Sequence, residues 1–249
     1  MTTPLPCKAS SVHAVAPPCS TQSPYNLFKR LGMFVLAVGL YVLGNLLAAV
    51  QAGALSGNAQ FSNQQLLNGI AYAGVGLLLL YYLQNRRQGF TRAFAGHTLQ
   101  RPLRNGLLAT TAVYVLCGVV MALFDIPDES FMLTFFDGLD RSQIVLLCIS
   151  LVIFPPLAEE LLFRHFLMRL LPWERSTIWK WLSIVLSTVL FAAIHTQYEQ
   201  VITMVALVAV GFVLAVARIA SGGLLVPVLI HACAEVLALL GYALNVYMG

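Results

Sequence analysis

Seven long apolar stretches take up most of this 249-residue chain, and they leave room for one kind of fold. A helix needs about 20 predominantly apolar residues to cross a hydrocarbon core about 30 Å thick. Inside that core every backbone N–H and C=O must be bonded internally, which a helix achieves within its own segment. The stretches run over 31–52, 67–84, 106–124, 142–160, 178–195, 200–217 and 224–245. Phe154-Pro155-Pro156 interrupts the fourth, and 160–171 is expected to continue it as a separate amphipathic half-helix, an eighth element. Only 10% of the residues are charged and 59% are hydrophobic, whereas soluble domains carry about 25% charged residues. The expectation is an all-α, polytopic transmembrane helix bundle of seven to eight helices over 27–249. It would be an integral, multi-pass protein of the cell (inner) membrane, embedded in the lipid bilayer and without a soluble domain.

Residues 1–26 break the pattern. They are rich in Pro, Ser and Thr and lack the unbroken apolar core of a signal peptide, so they read as a disordered cytoplasmic tail. The basic residues set the orientation. With the N-terminus in the cytoplasm, thirteen of the fourteen Lys and Arg residues fall on the inner side and only Arg141 falls outside, as the positive-inside rule requires. The opposite loop, around 125–141, carries Asp125, Asp128, Glu129, Asp137 and Asp140. The net charge of +4 is thus a topology signal and not a nucleic-acid patch. Cys117, Cys148 and Cys233 lie in spans, where a thiol packs as a small hydrophobe. Cys7 and Cys19 lack the spacing of a metal knuckle.

Ionisable side chains inside apolar spans are costly unless they pair or do chemistry, and here they form three groups. In Glu159-Glu160-Leu161-Leu162-Phe163-Arg164, Glu160 and Arg164 stand at i and i+4, share a helix face and can pair. Glu159 points about 100° away and is free for another partner. Pro155-Pro156 just upstream suits a helix start, whose amides would help keep Glu159 ionised. The second group is Phe191 with His195 and the third His231 with Glu235, each at i and i+4. His13, His97 and His165 read as ordinary surface or interface residues.

Carboxylates, histidines and an arginine from separate segments supply what activation of a water requires: a general base, an orienting group and a charge for an oxyanion. Glu159, His195 and His231 would equally serve as ligands of a divalent metal such as zinc. Neither a Gly-x-Ser-x-Gly elbow nor a His-Glu-x-x-His motif occurs.

Glu-Glu-x-x-x-Arg at 159–164, Phe-x-x-x-His at 191–195 and a late His-x-x-x-Glu at 231–235 resemble the motifs of the CAAX protease and bacteriocin-processing family of intramembrane endopeptidases, also described as type II CAAX prenyl endopeptidase-like. The resemblance covers about 140–245. It implies a catalytic site of Glu159, Glu160, Arg164, His195, His231 and Glu235 in a conical cavity open to the cytoplasm or the bilayer. Glu159 would activate water, and His195 would orient that water or bind metal. Glu160 with Arg164 would hold the motif helix, and His231 would stabilise the oxyanion or complete the site. The family usually has Asn or Asp where this chain has Glu235, and an ionised Glu cannot donate an N–H as Asn does.

Two functional readings fit these residues. One is an endopeptidase that cleaves a membrane-bound or lipid-linked peptide or protein. The other is a non-enzymatic membrane protein of the same fold, such as a transporter or an immunity or scaffold protein. A transporter favours a continuous polar path and inverted repeats; no internal repeat accompanies the equal spacing of Glu159, His195 and His231.

Overall fold

The computed structural model describes residues 25–53, 63–87 and 89–248. Each of the seven apolar stretches is a helix: α1 (Leu27–Gln51), α2 (Asn63–Asn85), α4 (Gln100–Leu123), α6 (Arg141–Glu159), α7 (Thr177–Ala193), α8 (Val201–Ser221) and α9 (Leu225–Met248). Two short helices, α3 (Phe90–Ala95) and α5 (Ser130–Thr134), lie in connections between them. Among the described residues six helical spans are long and apolar enough to cross a membrane, and α7 is a shorter apolar helix. Large hydrophobic side chains remain exposed along all seven, among them Val42, Leu79, Leu116, Ile149, Val189, Val205 and Leu244. Such a surface suits acyl chains in place of water.

The fourth stretch departs from the sequence expectation. Pro155 and Pro156 neither start nor end a helix; both are buried inside α6. The chain continues without a break through a π-helical segment, Glu160–Leu167, and a short 3-10 turn, Met168–Leu170, giving one 30-residue span. The separate half-helix is therefore absent, and Glu159 and Glu160 sit within a continuous helix, without the free amides of a helix start. Proline removes an amide donor and crowds the preceding turn, but tertiary packing holds this helix together. All eight residues of the π-helical segment are buried, and it touches α1, α2, α7 and α8. The motif helix is the central post of the bundle. π-helical turns are rare and concentrate at functional sites.

Hydrogen bonds between connections define two ends of the bundle. At one, the Glu129 carboxylate accepts from the Glu199 and Gln200 amides at 2.9 and 3.1 Å, and Asn245 donates to Asp128 at 2.8 Å. Asp140 caps α6 at this end, accepting from the Ser142 and Gln143 amides while the Gln143 side chain accepts from the Asp140 amide. Hydrogen bonds from the Ser142 hydroxyl and the Gln143 amide hold the exposed Asp140 carboxyl below the usual carboxylate range, so it stays charged. At the other end the His97 amide donates to Ser221 O and the Leu224 amide to Phe94 O. Tyr25 there reaches Leu170 O and Arg30 reaches Arg169 O. Tyr25 and the N-cap residue Asn26 thus belong to the bundle, and the expected disordered tail otherwise lies outside the described residues.

His165 corrects a second expectation. It is not a surface residue but is 1% exposed, with Nε2 2.8 Å from Gln84 Oε1 and its ring edge-on to Tyr81. On the π-helical segment even the face expected to be polar turns into the core.

Small residues let α1 and α2 approach closely, as is usual where no hydrophobic effect drives helices together in lipid. A Cβ on Gly44 would lie 2.5 Å from Ala73 N and 2.8 Å from Gly69 O, whereas one on Gly39 would meet nothing within 4 Å. Gly44→Ala should destabilise the protein by about 1–3 kcal/mol. Gly39→Ala should be neutral or slightly stabilising. Melting curves of the two variants in the same detergent separate close helix packing from helix propensity; equal melting temperatures would contradict it.

Candidate active site

The site is assembled around one buried carboxylate. Glu160 is 0% exposed and lies 3.3 Å from Arg164, which is also 0% exposed. Its Oε1 also lies 2.9 Å from His231 Nδ1. A carboxylate can only accept, so His231 Nδ1 carries the proton and Nε2 faces the other way. Arg164 is held in turn by the Gly211 carbonyl at 3.1 Å and lies 4.4 Å above the Phe191 ring. Arg218 of α8 donates to the Arg164 carbonyl at 3.2 Å. The Gly211 and Arg218 contacts lie beyond any motif spacing, because they join α8 to the motif helix across the bundle.

His195 is oriented the same way by a different acceptor. α7 ends at Ala193, so the Phe191 carbonyl belongs to the last turn, whose oxygens lack intrahelical amides. His195 Nδ1 lies 2.7 Å from that oxygen, which fixes the proton on Nδ1 and directs Nε2 into the site. The Phe-x-x-x-His spacing thus supplies a backbone acceptor for the imidazole, and the Phe191 ring packs against His195, His231 and Arg164 together.

Both Nε2 atoms converge on Glu159. Its Oε2 is 3.9 Å from His195 Nε2 and 3.9 Å from His231 Nε2, and among the described residues it has no hydrogen-bond partner despite being buried. These separations are too long for direct hydrogen bonds and suit one small bridging species in contact with all three atoms. Glu235 approaches His231 Nε2 to 3.6 Å from one turn along α9, with its side chain 27% exposed. The structure therefore brings together all six residues singled out from the sequence. Glu159, His195, His231 and Glu235 surround one space, while Glu160 and Arg164 stand behind it. Ser183 and Ser187 are buried and bonded to backbone carbonyls at Trp179 and Phe163. Among the described residues no group of three or more His, Cys, Asp or Glu side chains is arranged to hold a metal ion.

A cavity of about 920 Å³ leads to this space. His195, His231 and Glu235 line its floor, α4, α8 and α9 form its walls, and Asp125, Asp128 and Glu129 stand at its other end. The cavity thus rises to the acidic end of the bundle. The resemblance implied an opening to the cytoplasm or the bilayer, while the charge distribution assigns the acidic end to the outside; the two expectations diverge here.

The same stretch of chain that carries this geometry is shared with known proteins. Residues 141–237 match the family model described as type II CAAX prenyl endopeptidase Rce1-like. This part of the chain is similar to that family. The Rce1-like region contains all six site residues. An uncharacterized 24.3 kDa protein of Escherichia coli is 38% identical over 135 residues, 53% of this chain and 60% of that relative. The chain thus spans less than two thirds of that relative's length. No solved structure matches.

The two adjacent glutamates should separate cleanly. Glu160→Ala leaves both Arg164 and His231 without their buried carboxylate and should cost about 3–5 kcal/mol. Glu159→Gln removes a group with no hydrogen-bond partner on Oε2 and should leave the melting temperature nearly unchanged. Thermal unfolding of both variants in detergent checks this; a large loss for Glu159→Gln with none for Glu160→Ala would reverse the assignment.

Proposed function

We propose that the protein is an intramembrane endopeptidase that hydrolyses a peptide bond in a membrane-associated or lipid-linked peptide or protein. The observation that carries this reading is the convergence of Glu159 Oε2 with His195 Nε2 and His231 Nε2, the two imidazoles that line the floor of the cavity. A water in that space accepts or donates to all three atoms. Glu159 removes a proton from it, and His195, steadied on the Phe191 carbonyl, orients it by accepting through Nε2. The water oxygen bonds to the scissile carbonyl carbon. His231, protonated on both nitrogens at this step, donates through Nε2 to the oxygen that gains negative charge. Glu160 and Arg164 keep its imidazole aimed. When the C–N bond breaks, Glu159 passes the proton to the departing amine, and the second water proton stays on the new carboxyl group, so a carboxylic acid and an amine leave.

Glu235 stands beside His231 in this reading, its Oε1 3.6 Å from Nε2. In this reading the water is free, and among the described residues no group of three or more His, Cys, Asp or Glu side chains is arranged as a ligand set. A transport role draws no support from the cavity. Its described lining stops at His231, and toward the basic end Val226, Ile230, Leu214 and Arg164 are packed without exposure beyond 0%.

The test is cleavage of fluorogenic membrane peptides by protein reconstituted in lipid nanodiscs, run in ¹⁸O-water with metal content measured on the same sample. The expected result is cleavage with ¹⁸O in the new carboxylate, reduced about 10²–10⁴-fold by Glu159→Gln and by His195→Ala, without a stoichiometric metal. Cleavage unaffected by Glu159→Gln would remove Glu159 as the base. A bound zinc that is lost with activity in Glu159→Gln would replace the free water with a metal-held one.

A further inference from the structure

The acidic groups of this chain are sorted by end. Apart from Glu159 and Glu160 in the site, Glu174 is the one Asp or Glu between α6 and α7, while Asp125, Asp128, Glu129, Asp137, Asp140 and Glu199 belong to the connections at the cavity's end of the bundle. Three of them line the cavity, Glu235 lines it further in, and no Lys or Arg is among the described lining residues. Hydrogen bonds to Asp128 and Glu129 come from neutral donors, the Asn245 amide and the Glu199 and Gln200 backbone, so these carboxylates are steadied without being neutralised. Asp125 is exposed. From His231 to Asn245 the α9 wall spans about 21 Å at 1.5 Å per residue. A lumen of one sign between apolar helices concentrates the field along its length and selects ligands of the opposite sign. Behind His195 and His231 at its floor lies the buried Glu159 Oε2, 3.9 Å from both rings and without a hydrogen-bond partner among the described residues.

We propose that this site takes a peptide segment bearing lysine or arginine, which enters along the cavity from the acidic end of the bundle. Cleavage of the bound segment rests on the endopeptidase reading, but the binding itself is independent of it. The basic residues collect at the opposite end, and cationic loops are retained in the cytoplasm, so the peptide reaches the site from the non-cytoplasmic face. The ligand is an exported or surface-anchored chain with positive charge beside its membrane segment. Asp125 and Asp128 attract that charge at the mouth, and Glu235 meets it near the scissile bond.

The test uses full-length Glu159→Gln protein in nanodiscs of zwitterionic lipid. Two fluorescent peptides with the same apolar segment are compared, one ending in three lysines and the other in three glutamates. The lysine peptide should bind about tenfold tighter or more at low salt, and the preference should shrink as salt is raised. Asp125→Asn with Asp128→Asn should reduce the preference severalfold, with Glu129 and Glu235 left in place. In intact cells a membrane-impermeant maleimide should label Ala238→Cys, in the cavity wall, from outside. Equal binding of the two peptides, no binding of the lysine peptide, or labelling only in inverted vesicles would overturn the proposal. Selective binding without cleavage by wild-type protein would instead refute the endopeptidase reading and leave this one standing.

Discussion

Everything in the site depends on the Glu160 carboxylate, which is shared between Arg164 and His231 with no access to solvent. Withdrawing three ionisable groups from water is expensive, and the arrangement is tolerable only because each has a partner of opposite charge or a hydrogen bond. Arg164 is the hub on the cationic side, reaching Glu160, the Gly211 carbonyl and the Phe191 ring. One ion pair thereby ties the motif helix to α7, α8 and α9. Truncating it loosens the packing of four helices as well as the aim of one imidazole.

The same network orients the two histidines as a pair. Each has its Nδ1 committed to an acceptor, Glu160 for His231 and the Phe191 carbonyl for His195. Each therefore presents Nε2 toward Glu159. Glu159 is held off from direct hydrogen bonds to either imidazole, at 3.9 Å from both rings. That spacing leaves one carboxylate without a direct hydrogen bond to either ring and gives the structural pairing to its neighbour. Two adjacent residues divide the labour because a helix turns by about 100° per residue.

Much of this was legible in the sequence. The seven helices follow from hydrophobic length, and the pairs Glu160–Arg164 and His231–Glu235 follow from i, i+4 spacing, as does the placing of Phe191 beside His195. What escaped was set by contacts between distant segments. Pro155-Pro156 signals a helix boundary locally, yet packing against neighbouring helices carries the span through it. The π-helical turns beyond it rotate His165 into the core against Gln84, where an α-helical reading leaves it outside. The Glu160–His231 bond joins residues on different helices that no spacing relates. The direction of the cavity depends on how α4, α8 and α9 splay, so motif order could not supply it.

The central claim is that Glu160 fixes the imidazole of His231 so that Nε2 faces Glu159. ¹⁵N NMR of histidine-labelled protein in lipid, assigned with His195→Asn and His231→Asn, reads the proton positions directly. The account predicts protonated Nδ1 at both His195 and His231, with the His231 signal alone shifting strongly in Glu160→Gln. A neutral His231 protonated at Nε2 and bare at Nδ1 would contradict it.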